Sequence, residues 1–148
     1  MKKQIVILAF VIFGLSWYVP SYGQAQSLSG PDIESLVRKD GSYAMLVQGT
    51  RHFMGAMLVG ENIKEEHPSA QFEIVMAGEI VKELASNKDL KKQVETAKKY
   101  GIKLVVCEFA MQRLGVTKAQ YNPYVQTTPN AYRYLFGLQE LGFKTITL

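Results

Sequence analysis

What most limits the fold of this chain is an alternation of short, continuously apolar runs with longer amphipathic ones. Residues 43–47 (YAMLV), 72–76 (FEIVM) and 102–107 (IKLVVC) each read as a buried strand. Helical stretches fall between them. Phe53, Met57, Gly60 and Ile63 recur near period 3.6, and Pro68 stops that helix. A short helix is expected over 80–84. A clearer one is expected over 90–100, where Leu90, Val94 and Ala97 share one face, lysines cover the rest and Gly101 is placed to end it. A helical turn over 109–114 closes at Gly115, and residues 124–127 read as a short fourth strand. Thr128 and Pro129 then read as the N-cap and first position of a last helix, with Ala131, Leu135, Leu138 and Leu141 inward and Gly142 at its end. Residues 145–148 read as a fifth strand. This pattern predicts an α/β domain: about five mostly parallel strands in one sheet, with helices on both faces.

The first 25 residues stand apart from that pattern. Lys2 and Lys3 precede an apolar run from Ile5 to Leu15, and Pro20 and small residues follow it. This is the layout of a secretory signal peptide cleaved near residues 23–25. The alternative is a membrane anchor, but the run is shorter than the roughly 20 residues that span a bilayer. The expected product is periplasmic or secreted, with no stable membrane anchor after cleavage. Residues 26–42 form a polar lead-in, with a short helix expected over 32–38. The domain proper covers 43–148.

Charge and cysteine content exclude several functions. The chain carries 17 basic and 13 acidic residues, and two of the lysines belong to the signal. A margin that small predicts no nucleic-acid partner. A single cysteine allows no intrachain disulfide and no cysteine-rich metal site. No P-loop, GxGxxG or GxSxG occurs, so neither a nucleotide cofactor nor a hydrolase nucleophile is expected.

Chemistry is expected in the loops at the carboxyl ends of the strands, at 48–52, 77–79 and 107–110. Cys107 is the leading candidate. It closes an apolar strand and opens a short helix, a setting in which backbone N–H groups stabilise the nucleophilic thiolate. Glu108 opposes that activation if its carboxylate lies close, and Arg113 offsets it if the turn folds back. His52, just past the first strand, is a candidate base or orienting group on the same rim. His52 and Cys107 alone fall short of a metal site. Tyr121, Tyr124, Tyr132 and Tyr134 concentrate aromatics late in the chain, where they serve either the core or a subunit interface.

The segment from Cys107 to Val116 (CEFAMQRLGV) resembles the cysteine motif of the DsrE/DsrF-like, or TusD-like, sulfur-relay family. The likeness extends to the Gln48-Gly49 turn, to FEIVMAG at 72–78 and to the ending at 128–143. It implies a flavodoxin-like three-layer domain that assembles into homotrimers or homohexamers, with sulfur carried as a persulfide on Cys107. Glu108 departs from the small or apolar residue usual after that cysteine. The expected function is therefore an exported sulfur carrier or sulfurtransferase-like protein whose donor and acceptor the sequence does not name. A non-catalytic, oligomeric binding module of the cell envelope is the alternative. A thiol redox protein would need an external resolving thiol.

Overall fold

The computed structural model describes residues 29–148. The export signal expected over 1–25 lies outside the described residues. Five strands and six helices follow in the order α1 (Gly30–Glu34), β1 (Ser42–Val47), α2 (Thr50–Glu66), β2 (Gln71–Met76), α3 (Ile80–Ser86), α4 (Lys88–Tyr100), β3 (Lys103–Cys107), α5 (Glu108–Leu114), β4 (Gln126–Thr128), α6 (Ala131–Glu140) and β5 (Lys144–Thr147). A single helical turn, Lys118–Gln120, sits between α5 and β4. All pairings are parallel, in the order β4-β3-β2-β1-β5. The α/β, flavodoxin-like three-layer architecture is the one expected.

The sheet divides the core in two. Met45, Val47, Ile74, Met76, Leu104 and Val106 point to one side, against Phe53 and Met57 of α2, Val81 and Leu84 of α3 and Val94 of α4. Ala44, Leu46, Val75, Ala77 and Cys107 point to the other, against Ala131, Leu135 and Leu138 of α6. Side chains alternate along each strand, so burial on both faces makes the central strands apolar throughout. Each fully buried leucine, phenylalanine or methionine here contributes about 1.5–3 kcal/mol. Helix α2 approaches the sheet closely because Gly60 has no side chain. A β-carbon there would lie 2.9 Å from the Phe72 ring and 3.0 Å from Ile102, both of them core residues.

The second layer contains a buried acid. Glu73 is 6% exposed and faces α6 from β2. Its Oε2 accepts the Tyr134 hydroxyl at 2.8 Å, its Oε1 accepts from Lys103 Nζ at 3.3 Å, and that ammonium also donates to the Tyr134 oxygen at 2.8 Å. Burial works to lower Lys103, but the Tyr134 hydroxyl and the Glu73 charge outweigh it and hold the ammonium above its ordinary range. A carboxylate at this depth persists because every partner is present; losing one would leave it uncompensated.

Four details differ from the sequence reading. The last helix is capped by Asn130, whose side chain accepts from the N–H groups of Tyr132 and Arg133. Thr128 is instead the last residue of β4, paired with Cys107 in register, and β4 itself starts two residues later than expected. Leu141 is 76% exposed, not inward, because it caps α6 beyond the last residue of the periodic face. The lead-in helix, expected over 32–38, is instead α1 at 30–34, fully exposed and opened by a capping box between Ser29 and Asp32.

Tyr121 ties the turn after α5 to the helical layer. Its hydroxyl donates to the Val81 carbonyl at 2.6 Å in a buried setting, and burial pushes the phenol up to about 12. A free phenol titrates near 10, so the neutral form is the one the fold favours. The stability that follows is complete below about pH 10 and is lost as pH rises from about 10 through about 12. Tyr100, Tyr124 and Tyr134 are also raised, so tyrosinate absorbance against pH is expected to show several late phenols, of which the latest disappears in Tyr121→Phe. A titration unchanged by that substitution would contradict the assignment.

Candidate functional site

Cys107 ends β3 and serves as N-cap of α5. Its side chain faces the α6 layer and is 3% exposed. The backbone N–H of Ala131, the first residue of α6, donates to Sγ at 3.4 Å. The sulfur thereby completes the capping of α6. Asn130 takes the N–H groups of Tyr132 and Arg133 through its side chain and that of Tyr134 through its carbonyl, and the cysteine takes the remaining one. The donor at the thiol comes from a helix 24 residues further along the chain. The short α5, from which activation was expected, makes no hydrogen bond to the cysteine side chain.

Beside the sulfur lies a cavity of about 390 Å³ at the carboxyl end of the sheet. Gln48 after β1 and Ala77, Gly78 and Glu79 after β2 form one wall; Phe109, Ala110, Arg113 and Leu114 of α5 form another, and Tyr132 of α6 closes the rim. The turn after β2 fits only glycine at 78. Its φ is +67°, and a β-carbon would come within 3.1 Å of the Gln48 carbonyl oxygen. That same oxygen accepts the N–H of Ile80 at the start of α3, so the two loops form one rigid wall.

Arg113 lines the same cavity as Cys107. Its guanidinium lies 5.9 Å from the centre of the Phe109 ring, and among the described residues no carboxylate pairs with it. Glu108 is directed elsewhere: its Oε1 accepts the Thr127 hydroxyl at 2.6 Å, which ties the carboxylate to β4. His52 is not brought to the site. It is exposed on the first turn of α2, one residue before the first buried position, Phe53, and it does not line the cavity. Phe109 and Tyr132, 55% and 49% exposed, were not singled out as site residues, yet both sit on the rim. Of the four late tyrosines, Tyr121, Tyr124 and Tyr134 spend their hydroxyls on internal hydrogen bonds, and Tyr132 stays open. Among the described residues no three His, Cys, Asp or Glu side chains gather to hold a metal ion.

A family model, described as the DsrE/DsrF-like family, matches residues 22–148. The chain belongs to the DsrE/DsrF-like family. Solved structures share the fold of this DsrE/DsrF-like protein at low identity. MTH1491 of Methanobacterium thermoautotrophicum, a protein of unknown function, superposes with a TM-score of 0.67 at 14% identity, over 74% of this chain and 100% of that one. BT1422 of Bacteroides thetaiotaomicron gives 0.62 at 15% identity, over 72% and 94%. The ychN protein of E. coli gives 0.59 at 8% identity, over 72% and 99%. No curated protein matches the chain. The family is associated with sulfur relay, which directs attention to the thiol.

Proposed function

We propose that this DsrE/DsrF-like protein is a sulfur carrier that holds sulfane sulfur as a persulfide on Cys107. The observation that supports it is the sulfur itself, set against the Ala131 N–H on the wall of a cavity that also presents Arg113. A backbone donor at a helix N-terminus favours negative charge on the Cys107 sulfur, the charge the attacking thiolate carries. In the loading step the Cys107 thiolate attacks the outer sulfur of a donor persulfide R–S–SH. The donor's S–S bond breaks, the Cys107 S–S bond forms, the proton stays on the transferred sulfur, and R–S⁻ leaves. Arg113 stands where it can hold an anionic donor or leaving group. Incubation with an inorganic polysulfide followed by intact-mass measurement should show one added sulfur, removable by dithiothreitol. Protein that gains none would sink the proposal.

The 3% exposure of Cys107 supports a second reading, a binding module that uses the same cavity without sulfur chemistry. Alkylation decides between them. A carrier thiol reacts with iodoacetamide in the folded state near neutral pH, whereas a module's thiol reacts only on unfolding.

Two further properties belong to the proposal. The protein is exported, because Lys2, Lys3 and the run from Ile5 to Leu15 have the layout of a cleaved signal. N-terminal sequencing of protein from the host envelope should begin near residues 23–25, and a start at Met1 would refute export. It is also a homo-oligomer. Exposed Phe109 and Tyr132 on the cavity rim, and Phe136 one turn further along α6 and 63% exposed, are side chains that subunit contacts cover. Sedimentation should give a trimer or hexamer, and a monomer at tens of micromolar would count against it.

A further inference from the structure

Away from the thiol, a groove of about 570 Å³ runs between α4 and the 119–125 segment. Its floor is apolar: Val94, Tyr121 and Val125 are 2%, 7% and 2% exposed. Its rim is basic, formed by Lys88, Lys91 and Lys92. Glu95 joins the two walls by accepting from the Asn122 side-chain amide at 2.7 Å.

The placement of these lysines is unfavourable for the helix that carries them. They occupy the first two turns of α4, where the macrodipole is positive and acidic side chains are preferred. Lys98 and Lys99, in the last turn, satisfy the same dipole. In the first turn only Asp89 offsets the three, and Glu95 in the second spends its Oε1 on Asn122. The contact of Asp89 with Lys92 is 3.4 Å between side chains 81% and 85% exposed, a geometry that contributes little. Among the described residues neither Lys88 nor Lys91 pairs with a carboxylate. Three cations on the wrong end of a dipole, around a recessed apolar floor, form a surface whose missing element is negative charge.

We propose that this groove docks an acidic segment of a partner protein, its carboxylates on the lysine rim and one apolar side chain on the floor. Charge complementarity selects the sign of the partner, and the floor selects its class. A duplex nucleic acid needs a longer basic stripe than three lysines. A single strand needs exposed aromatic faces to stack on, and Tyr121 is buried with its hydroxyl bound to Val81. A membrane surface takes protruding apolar side chains, whereas these are recessed. The proposal is independent of Cys107.

The test uses a fluorescein-labelled peptide of glutamates flanking one leucine, titrated with the folded protein and read by anisotropy at low salt. Saturable binding is expected, weakened by salt and by exchanging the leucine for glycine. Two charge-matched double variants separate a local site from net charge. Lys91→Glu/Lys92→Glu should lose about tenfold or more in affinity, and Lys98→Glu/Lys99→Glu no more than about twofold. All four side chains are exposed, so both variants should fold, as circular dichroism can verify. Cys107→Ser should bind as the unaltered protein does, which keeps this result separate from that of the sulfur proposal. Absence of saturation at millimolar protein, equal losses in the two doubles, or tighter binding of oligo-dT or of phosphatidylserine vesicles would each overturn it.

Discussion

Cys107→Ser is expected to take up no sulfur at all, and Ala131→Pro to take it up more slowly than the unaltered protein, by up to about tenfold. The first result is absolute because the chain has one cysteine. The second isolates the physical cause. Ala131 is the first residue of α6, where proline is tolerated, and Asn130 before it is already extended at φ −148° and ψ 117°. The substitution therefore removes the N–H that donates to Sγ and little else from the backbone. A hydrogen bond to a charged group is worth about 1.5 kcal/mol, which sets a ceiling of roughly tenfold on the loss in loading rate. Asn130→Ala serves as the comparison. It costs α6 a cap worth about 1 kcal/mol but leaves the Ala131 N–H in place, so its loading rate should stay near that of the unaltered protein. Polysulfide loading followed by mass spectrometry reads all three variants. If Ala131→Pro, folded by near-ultraviolet circular dichroism, loads at the unaltered rate, the helix terminus does not activate the thiol.

Phe53→Ala is expected to be the most destabilising single substitution considered, at about 3–5 kcal/mol. Phe53 is 0% exposed in the first turn of α2, within the cluster that joins that helix to the sheet. Truncating it removes the transfer free energy of the ring and leaves a cavity. Neighbours on a close-packed parallel sheet cannot collapse into that space without shifting a strand. For a domain of this size the midpoint of thermal unfolding should fall by roughly 10–20 °C. Calorimetry showing a fall of only a degree or two would mean that α2 repacks freely. His52, its neighbour in sequence, is exposed, and His52→Ala should leave stability and sulfur loading alike unchanged.

Those two residues illustrate what a sequence can and cannot disclose. Strands β1, β2 and β3 were legible because both of their faces are buried, so nearly every side chain is apolar. Strand β4 was misplaced because it is three residues long, polar (QTT) and at the sheet edge. Its assignment depends on pairing with β3, which no local pattern encodes. The start of α6 was read two residues early because Thr128-Pro129 is as good a local start signal as Asn130. Pairing of Thr128 beside Cys107 decides between them. The turn at Lys118–Gln120 carried a signal that went unread: Thr117 and Gln120 form a capping box. Cys107 stood out from its place at a strand end, and Arg113 followed from its spacing along one short helix. The Ala131 N–H could not be found that way, because it reaches the sulfur only once α6 has crossed back over the sheet. His52 follows β1 and so lies near the site in sequence, yet the first turn of α2 leaves it exposed and off the cavity.

The strand order has a consequence for how the molecule assembles in time. β1 meets β2, and β2 meets β3, across about thirty residues of chain, but β1 meets β5 across about a hundred. Closing the longer loop costs about 1 kcal/mol more in chain entropy, and β5 has little to set against it, since none of its four residues is buried. The centre of the sheet should therefore form first and the flanking β5 should join last. In the finished protein β5 should also be the first strand to come away. Amide hydrogens of residues 144–147 are expected to exchange with solvent well ahead of those in β2 and β3, so that one margin of the sheet opens and closes while the framework around Cys107 stays shut.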